Sequence, residues 1–201
     1  MGFFPLFVDL TGRRVLVVGG GVVAERKVCA LLGFGAEPLV VSPRATDEIR
    51  RLAQTGAVRL CAREYRQEDL EGAVLAIAAA DDREVNRAVS RGACRRGIPV
   101  NVVDDPELCS FYFPATVRRG DFVVGVSTSG SYPAFAKYAR RRIEKMFPES
   151  CGDILQKLKR ERLRAKKEIK DPEERKRVLE QLLREELEKE TAPQGDGKED
   201  V

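Results

Sequence analysis

The chain contains no histidine. Without an imidazole, a Ser-His-Asp or Cys-His hydrolase is excluded, as is a His-ligated metal centre. General acid–base chemistry then falls to carboxylates, lysines, tyrosines or the substrate itself. Paired cysteines are missing too: Cys29, Cys61, Cys94, Cys109 and Cys151 are scattered, odd in number and nowhere spaced C-x-x-C. That pattern supports neither a zinc site nor a disulfide framework. It fits a reducing cytoplasm, with most of the thiols as small buried hydrophobes. No apolar run approaches the roughly 20 residues needed to span a bilayer. The start Met1-Gly2-Phe3-Phe4-Pro5-Leu6-Phe7 lacks the basic, long-apolar and small-residue regions of a signal peptide. A net charge of +4 over 201 residues does not by itself argue for a nucleic-acid partner.

What the chain does have is a glycine-rich turn in an informative place. The apolar run Arg14-Val15-Leu16-Val17-Val18 reads as a buried strand and empties into Gly19-Gly20-Gly21, with a helical pattern from Val22 to Leu32. Gly19, Gly21 and Ala24 fill the G-x-G-x-x-G/A spacing of a dinucleotide-binding turn. Each position has a physical job: a tight turn, close approach of backbone to a diphosphate, and close helix-on-strand packing. The helix start would turn its N–H groups and positive dipole end towards an anion. A purely structural tight turn is the plainer alternative.

Further along, apolar runs alternate with helical patterns, as a parallel sheet requires. Strands are expected at Leu39–Val41, Val58–Leu60, Ala73–Ala80 and Pro99–Val103, with helices over Thr46–Gln54 and from Asp81-Asp82 to about Arg95. After Pro106 the pattern changes. Phe111–Val117 and Phe122–Ser127, joined by Arg118-Arg119-Gly120-Asp121, read as an antiparallel hairpin. Ser127-Thr128-Ser129-Gly130-Ser131-Tyr132-Pro133 is a hydroxyl-rich loop with Pro133 as a plausible first helical residue. It serves equally as an anion-binding loop or as a helix cap with linker.

The last third is charged and helical. Ser150 with Asp153 resembles a capping box, and Asp171-Pro172-Glu173-Glu174 is a strong helix start. Leu155, Leu158, Leu163 and Ile169, then Val178, Leu179, Leu182, Leu183 and Leu187, form narrow apolar stripes. These suit a helical pair packed on the body or on a partner chain better than a long coiled coil. The basic segment Lys157–Lys170 reads as a solvated helix face rather than a nucleic-acid surface.

Several of these segments together carry a resemblance. Pro5-Leu6-Phe7, Val17 through Lys27, Ala76 through Asp82 with Asn86, Asn101-Val102-Val103-Asp104, Ser110-Phe111 with Phe113-Pro114, and Val126 through Gly130 with Pro133 match one family in order and spacing. The chain is similar to precorrin-2 dehydrogenase, the dehydrogenase/chelatase module of siroheme synthase, in its stand-alone form. The resemblance implies NAD-dependent oxidation of the tetrapyrrole precorrin-2 to sirohydrochlorin, with metal insertion a further activity of some relatives. It implies a Rossmann domain at residues 1–106, a dimerisation and substrate region at 107–149, a helical domain at 150–190, and a disordered tail at 191–201. Homodimers whose two subunits build each active site are implied as well.

The implied site follows the same residues. The family's catalytic aspartate falls on Asp104, which also follows a sheet strand where open α/β folds place ligands; a turn carboxylate before Pro106 is the alternative. Asp105 is the second choice. Gly19, Gly20, Gly21, Val22, Val23, Pro43 and Arg44 align with cofactor contacts, and Asn101, Ser127, Thr128, Ser129 and Gly130 with the substrate side. No metal-ligating set is expected.

Two features depart from the usual patterns. The second strand ends in Ser42-Pro43-Arg44, without the acid that normally binds the ribose 2′-hydroxyl of NAD. Arg44 would suit a 2′-phosphate, so the residues alone admit NADP while the family favours NAD. Ala80 stands where relatives often carry a hydroxyl. A nucleotide-sensing module without catalysis, or a metal-inserting enzyme without dehydrogenase activity, remains open.

Overall fold

The computed structural model describes residues 3–191. The chain divides into two compact units, residues 1–113 and 114–201.

In the first unit, Arg14–Val18 (β1), Glu37–Val41 (β2), Arg59–Cys61 (β3), Leu75–Ala78 (β4) and Val100–Val102 (β5) form one parallel sheet in the order β3-β2-β1-β4-β5. Its helices are Val22–Leu32 (α1), Asp47–Gln54 (α2) and Arg83–Arg95 (α3). Strand side chains alternate between faces, so β1 feeds both layers of core. Val15 and Val17 pack with Ala24, Val28 and Leu31 of α1 and Ile49 of α2. Leu16 and Val18 pack with Val89 and Ala93 of α3. Each such buried valine, leucine or isoleucine side chain contributes roughly 1.5–3 kcal/mol. This is the expected doubly wound Rossmann-type sheet, and the order reverses between β1 and β4, where such sheets open a crevice.

The helix starts follow side-chain chemistry. The Thr46 hydroxyl accepts the Ile49 N–H at 3.3 Å, and the Asp82 carboxylate accepts the Glu84 N–H at 2.7 Å. Both satisfy donors that the first helical turn leaves without partners. Beyond β5, a short 3-10 turn at Pro106–Leu108 leads into a segment that runs back along the exposed edge of β5. The Ser110 hydroxyl accepts from Val100 N–H at 2.8 Å, and Cys109 Sγ accepts from Val102 N–H at 3.1 Å. Side chains thus cover an edge that would otherwise present unpaired N–H groups.

The second unit holds the antiparallel hairpin Ala115–Arg119 (β6) and Phe122–Val126 (β7), then helices Pro133–Met146 (α4), Ser150–Glu168 (α5) and Pro172–Thr191 (α6). The Phe122 and Phe147 rings meet at 4.8 Å, and Arg119 Nε donates to the Phe147 carbonyl at 3.0 Å. The helix pair α5–α6 is tied by Lys157 and Glu186 at 2.8 Å. Asp171 accepts from the Glu173 and Glu174 N–H groups at 3.2 Å each, the cap expected from the sequence.

Some local expectations are corrected. β6 begins at Ala115 rather than Phe111, because the Phe111 carbonyl is taken by the Asn101 amide and Pro114 has no N–H to pair. β4 covers only Leu75–Ala78 of the expected Ala73–Ala80, since the Ala80 peptide is held by Asn86 instead of a strand neighbour. Ser150 is the first residue of α5 rather than the cap residue expected from the sequence. Glu149 is the helical-φ,ψ residue before α5 and gives no side-chain cap, while the Cys151 and Gly152 N–H groups bond to the Pro148 and Glu149 carbonyls. The tail expected at 191–201 lies, apart from Thr191 closing α6, outside the described residues.

Candidate functional site

At the C-terminal end of the first unit's sheet, a cleft of about 430 Å³ opens among Gly21, Val22, Val23, Ala80, Arg83 and Asp104. The turn between β1 and α1 forms one wall, and its glycines divide into two kinds. Gly19 has φ +115°, and a Cβ there would lie 2.1 Å from the Ala79 carbonyl oxygen. A Cβ on Gly20 would lie 2.1 Å from the Arg44 carbonyl oxygen. These two residues let the turn press against the ends of β4 and the β2–α2 loop. Gly21 differs: its φ is −78°, and a Cβ would meet nothing within 4 Å.

Gly21 therefore faces open space at the start of α1 and provides no side-chain cap. The first helical N–H groups, oriented with the positive dipole end, border the cleft together with the exposed side chains of Val22 and Val23. This cradle fits the diphosphate of a dinucleotide, which needs close backbone approach and donors without a competing side chain. Pro43 and Arg44 follow β2, both exposed, and Ser42 Oγ donates to the Arg44 carbonyl at 2.6 Å to shape that loop. No acid stands between Val41 and Thr46.

The opposite wall comes from β4 and β5. Asn86 clamps the Ala80 peptide from both sides, accepting its N–H at 3.0 Å and donating to its carbonyl at 2.9 Å. Asp104 is exposed and adopts φ 59°, a left-handed conformation that aspartate tolerates better than most residues. Among the described residues, none hydrogen-bonds or ion-pairs with its carboxylate. Its neighbour Asp105 is engaged: Arg83 reaches its carboxylate at 3.2 Å, and that side chain is only 15% exposed.

Asn101 lies deeper, 6% exposed on β5. Its amide nitrogen donates to the Phe111 carbonyl at 3.1 Å and towards Cys109 Sγ at 3.6 Å, while its oxygen accepts from Lys27 Nζ at 2.9 Å. The Lys27 ammonium also sits 4.6 Å above the Phe113 ring. Burial, reinforced by Arg26, pushes the Lys27 pKa down to about 8, while Cys109 and Asp104 act the other way. Burial also pushes the Cys109 thiol up, so it serves as a neutral hydrogen-bonding group.

The structure thus brings Gly21, Val22, Val23 and Asp104 to one cleft, while Gly19 and Gly20 pack behind it against Ala79 and the Pro43–Arg44 loop. The Ser127–Gly130 loop belongs to the second unit. There the Ser127 hydroxyl accepts from Ser129 N–H at 3.0 Å and the Thr128 hydroxyl from Tyr132 N–H at 3.2 Å. Ser129 is left-handed at φ 52°, the second such non-glycine residue after Asp104. The sequence assigns no role to Lys27, Arg83 or Asn86, although Lys27 and Asn86 lie in segments that carry the resemblance. Lys27 had a signal: it falls three residues after Ala24 and four before Leu31, a cation on the helix's buried stripe.

The fold and cleft define a dinucleotide-binding protein, and comparison with known families agrees. The chain belongs to the NAD(P)-binding family, whose model matches residues 6–115, just over half of it. A siroheme synthase of Pseudomonas aeruginosa is 44% identical over 187 residues, covering 93% of this chain and 40% of that protein. A siroheme synthase of Thioalkalivibrio sulfidiphilus is 44% identical over 183 residues, 91% of this chain and 37% of its own length. The chain thus spans about two fifths of the length of these curated relatives. Among solved structures, SirC, a precorrin-2 dehydrogenase, superposes with a TM-score of 0.77 at 26% identity, covering 93% of this chain and 98% of that one.

Proposed function

We propose that this chain is a precorrin-2 dehydrogenase that oxidises precorrin-2 to sirohydrochlorin with NAD. One observation carries the reading: a single cleft joins an uncapped, side-chain-free helix start at Gly21 to the unengaged carboxylate of Asp104. The likeness to SirC along nearly the whole chain, and to siroheme synthases, supplies the substrate class.

Oxidation removes a hydride and a proton from the tetrapyrrole. The nicotinamide, when bound, supplies the hydride acceptor. The chain's own residues do the rest. Gly19, Gly20 and Gly21 with the Val22 and Val23 N–H groups hold the diphosphate, and Pro43 and Arg44 border the adenosine ribose. Asp104 takes or steers the proton, a role that requires a carboxylate free of protein partners. Asp105 is ion-paired with Arg83 and so is not free to take that role.

NAD is chosen over NADP from the family resemblance, since the exposed Arg44 would also tolerate a 2′-phosphate. The Ser127, Thr128, Ser129 and Gly130 loop offers hydroxyl donors to substrate carboxylates, and Asn101 is the other residue that the resemblance gives to the substrate side. A cytoplasmic homodimer completes the reading. The exposed apolar Phe4, Leu6 and Phe7 offer surface that a second copy would cover. Among the described residues no helix is long and apolar enough to cross a membrane.

Anaerobic incubation of the purified protein with precorrin-2 and NAD tests the proposal. Sirohydrochlorin should form with reduced nicotinamide in equal amount. NAD binding without oxidation would instead identify a nucleotide-sensing module, and subsequent addition of iron or cobalt tests metal insertion separately.

A further inference from the structure

Lys27 has no part in the nucleotide cradle, yet its surroundings are unusual for a structural lysine. It rises from the buried stripe of α1, where a charge is costly to place without compensation. The compensation is incomplete. Its ammonium makes one hydrogen bond, to Asn101 Oδ1 at 2.9 Å, and rests on the Phe113 ring at 4.6 Å. Among the described residues, no carboxylate forms an ion pair with it, and no other acceptor takes its remaining hydrogens.

The anchoring is nevertheless deliberate in its geometry. Asn101 is itself fixed by the Phe111 carbonyl and Cys109 Sγ, so the oxygen that holds Lys27 cannot swing away. The charged and titratable groups bearing on the ammonium are Arg26 on its own helix, and Cys109 and Asp104 beyond β5. β5 itself presents the neutral Asn101. A partly buried cation with donor capacity to spare, within electrostatic reach of the proposed proton acceptor, is suited to a fixed anion on a ligand.

We propose that Lys27, held by Asn101 and Phe113, binds a carboxylate of the tetrapyrrole substrate beside Asp104. The proposal rests on the dehydrogenase reading for the identity of the substrate, and it gives Asn101 its role: it orients the cation that makes the contact. Asp104 and Lys27 then divide the work, one taking a proton and the other an anionic side chain. Lys27 loses its charge near pH 8, so substrate affinity should weaken above that value.

The test uses uroporphyrin, an aromatic octacarboxylate tetrapyrrole, so that binding is read without turnover. In the unmodified protein, the Lys27 side-chain resonance followed by carbon NMR should titrate near pH 8 and move to higher pH when uroporphyrin is added. Lys27→Met should weaken uroporphyrin binding about tenfold, with Lys27→Arg restoring part of the loss. In turnover, Lys27→Met should raise KM for precorrin-2 about tenfold, leave kcat within about twofold, and abolish the rise of KM above pH 8. An unmoved Lys27 titration, or no uroporphyrin binding by the unmodified protein, overturns the proposal even if the variant fails to fold. Uroporphyrin binding that raises the Lys27 titration in a protein unable to oxidise precorrin-2 would leave the carboxylate site standing and overturn the dehydrogenase reading alone.

Discussion

Arg83 reaches the Asp105 carboxylate at 3.2 Å, and this pairing distinguishes two adjacent acids that look equivalent in the sequence. Asp105 is spent on a neighbour at the rim of the cleft. Asp104, exposed and left-handed at φ 59°, has no such partner among the described residues.

Asp104→Asn should therefore lower kcat for precorrin-2 oxidation by about 10²–10⁴-fold, the usual worth of a positioned proton acceptor. Its NAD affinity, measured by calorimetry, should stay at the unmodified value. Asp105→Asn should cost less than about tenfold in kcat, and a stability change of about 0–1 kcal/mol, as an ion pair with one exposed partner warrants. Equal kinetic losses in the two variants would remove the distinction drawn here.

The two kinds of glycine predict opposite failures. Gly21→Asp faces open space at an ordinary φ, and an aspartate there can cap α1, so the variant should fold with unreduced thermal stability. It should nevertheless lose NAD binding, because its carboxylate would occupy the place and repel the charge of the diphosphate. Gly20→Ala should instead lower the melting temperature, since its Cβ would fall 2.1 Å from the Arg44 carbonyl oxygen. A Gly21→Asp protein that binds NAD normally would show the cradle to be merely a turn.

Acid stability should report on Asp69. Its carboxylate accepts both guanidinium nitrogens of Arg63, at 2.6 and 2.9 Å, and the Arg66 N–H at 2.8 Å. The Arg63 bonds outweigh burial and hold its pKa below the ordinary value. A lowered folded pKa means stability that is fully present above about pH 4, the unfolded value, and that is lost as pH falls towards the folded one. Urea melts should show Asp69→Asn less stable than the unmodified protein by about 1–3 kcal/mol at pH 7. The gap should narrow as pH drops below 4. A constant gap would contradict the assignment.

Cofactor choice should be legible at Arg44. At equal concentrations the protein should turn over faster with NAD than with NADP. Arg44→Ala should reduce whatever activity NADP supports by about tenfold while leaving NAD activity within about threefold, because only the 2′-phosphate gains from the guanidinium. Faster turnover with NADP would reverse the choice of cofactor.

Much of the fold follows from local signals. The run Val15–Val18, the cap at Asp82 and the proline start at Pro172 each act within a few residues, so the sequence exposes them. The glycine spacing likewise marks the turn that opens the cleft. What stayed hidden depends on partners far along the chain. The Lys27–Asn101 bond spans 74 positions, and the Asn101 bond to Phe111 that ends the expected hairpin strand spans ten. Asn101 is legible as a substrate-side residue by resemblance, whereas its bonds to Phe111, Cys109 and Lys27 emerge only in the folded chain. The division between Asp104 and Asp105 was similarly set by Arg83, more than twenty residues earlier.

The most direct test is a single anaerobic turnover with precorrin-2 deuterated at the carbon that loses hydride. The account predicts that deuterium appears in the reduced nicotinamide in step with sirohydrochlorin, and that Gly21→Asp yields neither. Sirohydrochlorin formed at an equal rate without the nucleotide, or by Gly21→Asp, would contradict it.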